Sequence, residues 1–287
     1  MIWKITVLLG LVCAVVFVAL SFHFARTHAE ALPSRVGAPP ADFPAPMESV
    51  ILTTEDGIKL HGWYAAPPGS TRAIVLLHQY GGNRLSMLSR ARLFCARGYA
   101  VLLYDARGHG ESEGETISLG YRERSDLLAA LDFLRRRGMT SLACVGWSQG
   151  GSTIMMAAGQ LPDVRAVVLE SAFDTFARAI DRGFRKHTGL PGWLTGWLYT
   201  LRTEQLLGFP IEAFRPIDHI ADLACPVFVI SGTEDTSTWA SDTLEIYEAA
   251  QEPKELWMVP GADHQDLYAF APTEYERRVL AFLERYL

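Results

Sequence analysis

The sequence is poor in cysteine and has no excess of positive charge. Its 287 residues include only four cysteines, with no Cys-x-x-Cys pair and no zinc-ligand spacing. We therefore expect free, mostly buried thiols, with neither a disulfide framework nor a metal site. The net charge is −6. Binding to nucleic-acid phosphates takes a clustered basic surface, so we expect no nucleic-acid partner.

Glycine and proline are not enriched enough for a collagen-like or low-complexity chain. A composition of 49% hydrophobic and 20% charged residues is typical of a folded protein. The length allows one large α/β domain or two small ones. The mean hydropathy of +0.11 is high for a soluble protein, which indicates an apolar segment with a separate role.

One long hydrophobic run accounts for much of this hydropathy. Residues 5–22 carry no charge, and as a helix they would span about 27 Å, close to the ~30 Å hydrocarbon core of a bilayer. We predict a single-pass anchor over residues 1–28 that contacts membrane lipid. A cleaved secretory signal is the alternative, because Lys4 supplies a basic start and Ala29-Glu30-Ala31 has the small-x-small form.

A proline-rich segment follows the hydrophobic run. Residues 29–47 hold a third of the prolines and few charges, a composition that favours extended geometry at ~3.1 Å per residue. We expect a linker that holds the rest of the chain some tens of ångströms from the bilayer. Positive charges flank the run on both sides, Lys4 before it and Arg26 and Arg35 after it. We expect the amino terminus to lie inside the cytoplasm, which places the rest of the chain outside it.

From residue 48 the sequence alternates apolar runs with amphipathic segments. Eight runs have the length and composition of strands: 49–54, 59–65, 73–78, 99–104, 142–147, 165–170, 226–231 and 254–258. Five segments have helical periodicity: 85–97, 121–137, 149–160, 240–251 and 273–286. This alternation predicts one α/β domain over residues 48–287, with an eight-stranded, mostly parallel sheet and helices on both faces.

The strongest motif is Gly146-Trp147-Ser148-Gln149-Gly150, between a predicted strand and a predicted helix. In this context Gly-x-Ser-x-Gly places the serine on a strained strand-to-helix turn, where the glycines avoid clashes that a Cβ would cause. A serine hydroxyl is a poor nucleophile unless a base, itself oriented by an acid, activates it. The motif predicts that Ser148 is a nucleophile with partners farther along the chain.

Two later residues fit the acid and the base. In the chain order typical of this motif the acid follows a later strand and the histidine comes last. Asp235 and His264 follow the last two predicted strands, which would bring both beside Ser148. Glu170, after the sixth predicted strand, is the reserve candidate for the acid. Other carboxylates flank the chosen pair, namely Glu234, Asp263 and Asp266.

Donors for a developing oxyanion are expected at two backbone positions. Gln149, the residue after the nucleophile, supplies one N–H group, and the loop after the third predicted strand supplies the other. That loop reads His78-Gln79-Tyr80-Gly81-Gly82-Asn83, and Tyr80 N–H is our candidate for the second donor. We interpret His78 as a structural anchor of the loop rather than a catalytic base.

Four ordered motifs together resemble the α/β-hydrolase superfamily, especially bacterial single-domain serine hydrolases of the dienelactone-hydrolase-like or serine-aminopeptidase-like type. They are GWSQGG, GTED, PGADH and DARGHGES, the last at residues 105–112. The resemblance covers nearly all of residues 48–287. It implies an eight-stranded sheet, a triad of Ser148, His264 and Asp235, and no cofactor.

About 50 residues separate the sixth and seventh predicted strands, more than a simple crossover needs. Trp193, Leu194, Trp197 and Leu201 recur there at helical spacing. Lids are inserted at this position in the resembling fold, so we predict a small helical lid over residues 171–223. The equal alternative is that the tryptophans only pack the insertion onto the core.

These residues and the resemblance imply a membrane-tethered serine hydrolase that cleaves a small-molecule carboxylic ester or thioester through an acyl-enzyme intermediate. Two alternatives stay open. The same triad is able to cut amides, with Glu170 or Glu234 recognising a free amino group. The second alternative belongs to a different functional class, in which the chain is not an enzyme but a catalytically silent, membrane-anchored binding protein.

Overall fold

The computed structural model describes residues 2–189 and 192–287. A long helix, α1 (Ile2–Ala29), comes first. Eight strands form the main sheet: β2 (Met47–Thr53), β3 (Lys59–Ala65), β4 (Arg72–Leu77), β5 (Ala100–Tyr104), β7 (Ser141–Trp147), β8 (Val164–Glu170), β9 (Val227–Gly232) and β10 (Lys254–Val259). Two short strands form a separate pair: β1 (Leu32–Pro33) and β6 (His109–Gly110).

Eight further helices follow α1 in the described part of the chain. They are α2 (Leu88–Ala96), α3 (Arg124–Arg136), α4 (Gln149–Ala157), α5 (Phe176–Thr188), α6 (Gly192–Leu207), α7 (Ala240–Ala249), α8 (Leu267–Phe270) and α9 (Pro272–Tyr286). Short 3-10 turns at Arg84–Met87 and Ala158–Gln160 extend α2 and α4.

The strand order in the sheet is β10-β9-β8-β7-β4-β5-β3-β2. The pairs β2–β3 and β3–β5 are antiparallel, and the other neighbours are parallel. The eight-stranded, mostly parallel sheet predicted from the sequence is therefore confirmed. The chain runs outward from β4 to β5 and then returns to β7 on the other side of β4. Ligand sites of α/β sheets lie at such a reversal, outside the carboxyl ends of the strands.

Helices cover both faces of the sheet. Successive side chains of a strand point to opposite sides, and the apolar side chains on each side pack against helices. Val75 of β4 packs in one core with Leu131 of α3 and Met155 of α4. Ile74 and Leu76 of the same strand pack in a second core with residues of α2 and α9. This two-sided burial explains why β4 is a continuous apolar run rather than an alternating one.

Helix α1 is apolar enough to cross a membrane by length and composition, a test that a signal sequence also passes. Its final turns pack onto the rest of the molecule. Ser21, Ala25 and Ala29 are buried, and their spacing of four residues puts them on one face of the helix. The segment over which we predict an anchor is thus one continuous helix whose end belongs to the folded body.

The proline-rich segment does not extend away from the body, and the expected spacer of some tens of ångströms was wrong. Leu32 N–H donates to the Gly108 carbonyl oxygen at 2.6 Å, and Ser34 N–H donates to that of Gly110 at 2.8 Å. The Glu111 carboxylate accepts from the next backbone N–H groups of the segment. Residues 32–37 lie along the surface because their backbone groups find partners in the 105–112 loop, and Ala45 farther along the segment is buried.

The insertion between β8 and β9 contains α5 and α6. Trp197 and Leu201 of α6 are exposed, whereas Leu198 and Tyr199 are buried. Trp193 and Leu194, which the sequence placed on the same stripe, lie outside the residues whose side chains are described. The helix was predicted from the spacing, but its buried face is a different one because α1 packs against α6.

Candidate active site

Ser148 lies at the turn between β7 and α4. Its φ of +51° is rare for a residue with a side chain, and its N–H donates to the Glu170 carbonyl oxygen at 2.7 Å. The flanking glycines are needed: a Cβ on Gly146 would lie 2.5 Å from the Gly150 carbonyl carbon, and one on Gly150 would lie 2.4 Å from the Leu77 carbonyl oxygen. The sequence motif therefore forms the tight turn that it predicted.

His264 and Asp235 meet Ser148 at the carboxyl edge of the sheet. His264 Nε2 lies 3.1 Å from Ser148 Oγ, and His264 Nδ1 lies 2.8 Å from Asp235 Oδ2. Asp235 follows β9 and His264 follows β10, as their sequence positions predicted. The structure thus brings together three residues of which the first and last, Ser148 and His264, are 116 positions apart in the chain.

Asp235 is held in one orientation and stays ionised. Its Oδ1 accepts from the N–H groups of Ser237 at 2.8 Å and Thr238 at 2.7 Å, and its Oδ2 also accepts from Thr238 Oγ1 at 2.7 Å. Burial alone would raise the pKa of Asp235, but the hydrogen bonds from His264 and Thr238 outweigh it, and the pKa is lowered. The negative charge therefore stays next to the imidazole.

The reserve acid, Glu170, has different partners. Its carboxylate accepts from Arg90 Nε at 3.0 Å and from the Tyr275 hydroxyl at 2.5 Å, and both glutamate and arginine are fully buried. Glu234 is exposed, and Asp266 accepts the N–H groups of Tyr268 and Ala269 at the start of α8. Glu170 is thus engaged in a buried ion pair.

The two proposed oxyanion donors flank the reversal of strand order. Gln149 is the first residue of α4. Tyr80 lies in the loop after β4, where Leu77 pairs with Gly146 on the neighbouring strand. Gly82 N–H donates to the Gln79 carbonyl oxygen at 3.1 Å and closes this loop into a turn. Both backbone positions are therefore on the same edge of the sheet as Ser148.

His78 makes hydrogen bonds that hold the loop carrying Tyr80. Ala106 N–H donates to His78 Nε2 at 3.0 Å, and the other ring nitrogen lies 2.7 Å from the Gln79 carbonyl oxygen, which assigns the proton to Nδ1. Burial, assisted by the nearby His109, lowers the pKa of His78 to about 3. A neutral imidazole with both nitrogens bonded agrees with our interpretation of His78 as a structural anchor.

The loop of residues 105–112 carries roles that the sequence did not reveal. His109 Nε2 accepts the Gly81 N–H at 3.2 Å, and the Asp105 carboxylate accepts the Glu111 N–H at 2.9 Å. Gly110 has a φ of +55°, and a Cβ on it would lie 2.1 Å from Asp105 Oδ2. The sequence showed DARGHGES as a motif, but it did not predict the hydrogen bonds to the Tyr80 loop, because they join segments almost 30 residues apart.

The three thiols that the structure describes lie away from this site. Cys95, Cys144 and Cys225 are free and buried, and burial raises the pKa of Cys225 to about 12. Cys13 lies among the residues whose side chains are not described. Across residues 2–189 and 192–287, the structure groups no three or more His, Cys, Asp or Glu side chains in a way that suits a metal ion.

Comparison with known proteins gives one family. The profile described as "Alpha/beta hydrolase family" matches residues 60–278. The uncharacterized protein YfhR of Salmonella typhi is 27% identical over 79% of this chain and 77% of its own length. The alpha/beta hydrolase domain-containing protein WAV2 of Arabidopsis thaliana is 28% identical over 83% of this chain and 79% of its own.

Solved structures agree with the profile. The esterase Pf2001 of Pyrococcus furiosus is 27% identical and superposes with a TM-score of 0.75, covering 90% of this chain and 98% of its own. An acetyl xylan esterase from Paenibacillus sp. R4 has a TM-score of 0.66 at 21% identity, with 95% and 94% covered. At that lower identity the second likeness concerns the fold alone.

Proposed function

The chain belongs to the alpha/beta hydrolase family, and we propose that it is a serine hydrolase that cleaves a small-molecule carboxylic ester or thioester. The observation that carries this proposal is the hydrogen-bonded series from Asp235 through His264 to Ser148, at 2.8 and 3.1 Å. The likeness to the esterase Pf2001 at 27% identity supports the same reaction class.

The first half-reaction transfers the acyl group to the enzyme. His264 Nε2 takes the Ser148 hydroxyl proton as Oγ attacks the substrate carbonyl carbon. The resulting oxyanion accepts hydrogen bonds from Tyr80 and Gln149 N–H. The intermediate then collapses: the carbonyl re-forms, the bond to the alcohol oxygen or thiol sulfur breaks, and His264 gives its proton to that leaving atom.

The second half-reaction releases the acid. His264 takes a proton from a water molecule that attacks the acyl carbon, and the same donors bind the second oxyanion. Ser148 Oγ leaves with the proton from His264, and the carboxylic acid departs. Throughout, the ionised Asp235 holds the Nδ1–H tautomer of His264 and stabilises the imidazolium that forms in each half-reaction.

We also propose that α1 is retained as a single-pass anchor in contact with lipid, with the hydrolase domain outside the cytoplasm. The docking of its last turns against the body supports retention, since cleavage at residues 29–31 would remove the residues that pack there. Carbonate extraction and intact mass of the native protein test this point. A soluble protein that begins after residue 28 would show the helix to be a cleaved signal.

The insertion is proposed as a lid. Arg182 of α5 donates to the Asp242 carboxylate at the start of α7, and its guanidinium lies 4.7 Å from the centre of the Trp239 ring. Trp239 follows the loop that carries Asp235. The insertion therefore contacts the acid-bearing loop, a position from which it would cover the acyl-binding side of Ser148.

The decisive experiment is a screen of p-nitrophenyl esters of increasing acyl length with the wild-type chain and Ser148→Ala. We expect turnover in the wild type and loss of at least about a thousandfold in the variant. Fluorophosphonate labelling of the wild type alone, with both proteins folded by circular dichroism, identifies the nucleophile. Ester turnover that survives Ser148→Ala would refute the mechanism.

An amide substrate is the second candidate reaction. Glu170, one of the two carboxylates considered for recognising a free amino group, is engaged with Arg90 and Tyr275. Matched ester and amide pairs with one acyl group decide the question. We expect the ester to be cleaved faster, and faster amide cleavage would make the chain an amidase or peptidase.

A further inference from the structure

The end of α1 contacts the loop that carries Tyr80. The Tyr80 hydroxyl donates a hydrogen bond to the His28 carbonyl oxygen at 3.2 Å. The two rings also stack, with centroids 6.2 Å apart and planes inclined by 22°. On the other side of Tyr80, the His109 ring makes an edge contact at 5.9 Å. Tyr80 is thus held between the apolar helix and the 105–112 loop.

This contact belongs to a continuous docked surface. Ile117 N–H donates to the Ala29 carbonyl oxygen at 2.8 Å, and Ala31 N–H donates to the Glu115 carbonyl oxygen at 3.1 Å. The His28 ring also meets Tyr199 of α6 edge-on, at a centroid distance of 6.0 Å. The end of α1 therefore connects the Tyr80 loop to the helical insertion.

Tyr80 is close to the reacting serine by the register of the sheet. Leu77 and Gly146 are paired on neighbouring strands, which lie about 4.8 Å apart. Tyr80 is three residues beyond the first of these positions, and Ser148 is two beyond the second. Oxyanion stabilisation requires donors fixed at hydrogen-bond distance from the developing charge. A shift of the Tyr80 backbone would therefore weaken it.

We propose that the end of α1 is a component of the active site and that His28 is a positioning residue for the Tyr80 loop. Through its carbonyl oxygen and its ring, His28 fixes the tyrosine side chain and with it the Tyr80 N–H. The proposal rests on the proposed function, because the position of that N–H affects catalysis only if an oxyanion forms. The apolar helix then has a catalytic effect besides attaching the protein to lipid.

The test uses the full-length chain in detergent micelles with a short, soluble ester such as p-nitrophenyl butyrate. Tyr80→Phe removes the hydroxyl bond to His28 but keeps the ring and the backbone N–H. His28→Ala removes the stacked ring. We expect either change to lower kcat by about three- to tenfold with KM within twofold, since a displaced donor affects the transition state more than the ground state.

Three further variants separate positioning from general damage. His28→Phe keeps a ring against Tyr80 and should restore most of kcat. His23→Ala removes an exposed histidine of the same helix whose ring lies against the neighbouring Phe24, and it should stay within twofold of the wild type. The double variant His28→Ala/Tyr80→Phe removes both the ring contact and the hydroxyl bond, so it should lose at least as much kcat as the more damaging single change.

The outcomes are distinguishable from failure of the proposed function. A wild type that hydrolyses no ester would overturn the proposed function, and this inference with it. An active wild type whose kcat is unchanged in Tyr80→Phe and His28→Ala would overturn only the positioning role. A loss seen in KM alone, or one equalled by His23→Ala, would also contradict it.

Discussion

At the scale of single residues, the site and its supporting loop combine a charged carboxylate with an uncharged imidazole. Asp235 is ionised because hydrogen bonds outweigh the effect of burial on its pKa, whereas burial keeps His78 uncharged. Ser148, Asp235 and His264 were all predicted from the sequence, because each follows a recognisable strand. The engagement of Glu170 was not predictable, since its partner Arg90 is 80 residues away and no local pattern connects them.

Removing the Asp235 charge should leave the fold intact and suppress turnover. In Asp235→Asn the amide no longer favours the Nδ1–H tautomer of His264, and we expect kcat to fall on the order of 10³- to 10⁴-fold. Steady-state kinetics on a soluble ester measure the fall. Glu234→Gln is the matched control, because this carboxylate is the exposed neighbour of Asp235. Equal losses in the two variants would show a general electrostatic effect instead.

His78 should make the protein sensitive to acid. Its pKa falls from 6.5 to about 3 on folding, so between these values the unfolded chain binds a proton that the folded chain does not. Stability therefore decreases as the pH falls through this window, by roughly 2–3 kcal/mol between pH 6.5 and 4.5 from this residue.

Thermal unfolding between pH 7.5 and 4.5 tests this expectation. His78→Gln is unable to titrate, so its Tm should fall less steeply with decreasing pH than that of the wild type, whatever its Tm at pH 7.5. His109, whose ring lies 5.0 Å away and whose pKa burial also lowers, leaves some slope in the variant. Parallel curves for the two proteins would exclude His78 as a source of acid sensitivity.

At the scale of helices and strands, all eight strands of the main sheet were predicted. Inner strands such as β5 and β9 are buried throughout and are continuous apolar runs, whereas the edge strand β2 alternates exposed and buried side chains near its end. In α6 the predicted stripe of Trp197 and Leu201 is exposed. The sequence did not reveal that α1 would pack against this helix, and that contact determines which face is buried.

The first turn of α4 should tolerate no side chain at Gly150. A Cβ there would lie 2.4 Å from the Leu77 carbonyl oxygen and 2.7 Å from Leu77 Cβ, and neither atom is free to move. We expect Gly150→Ala to lower stability by about 2 kcal/mol, or Tm by roughly 4–8 °C, and to lower kcat by displacing Gln149.

The matched control for this change is Gly159→Ala. Gly159 lies in the turn directly after α4, and a Cβ there would meet nothing nearer than 3.9 Å. Its Tm and kcat should stay close to those of the wild type. If Gly150→Ala behaves like this control in differential scanning fluorimetry and kinetics, close approach of β4 and α4 is not what requires the glycine.

At the scale of the whole molecule, the docked end of α1 sets how far the site lies from the bilayer in the anchored form that we propose. From Phe22, the last residue of the apolar run, to His28 is six residues, or about 9 Å of helix. Each polar layer of a bilayer is roughly 5–8 Å thick. His28 and the Tyr80 loop that it contacts therefore lie at the membrane surface when α1 spans the bilayer, and the proline-rich segment adds no distance.

A site at this depth should act on esters that remain dissolved in the bilayer. Extracting an acyl chain into water costs about 0.8 kcal/mol per CH₂ group, or roughly 9 kcal/mol for a dodecanoyl ester. An active site at the surface avoids most of this cost, because the acyl chain stays in lipid while only the ester group enters the site.

The test uses the full-length protein in phosphatidylcholine vesicles with embedded p-nitrophenyl dodecanoate. We expect the rate of hydrolysis to depend on the mole fraction of the ester in the membrane. Ester embedded in the vesicles that carry the protein should then be hydrolysed at a higher initial rate than the same amount of ester supplied in separate vesicles, whereas the rate on soluble p-nitrophenyl acetate should not depend on this arrangement. Equal initial rates of dodecanoate hydrolysis in the two arrangements would mean that the substrate arrives through water and that the depth of α1 does not govern access.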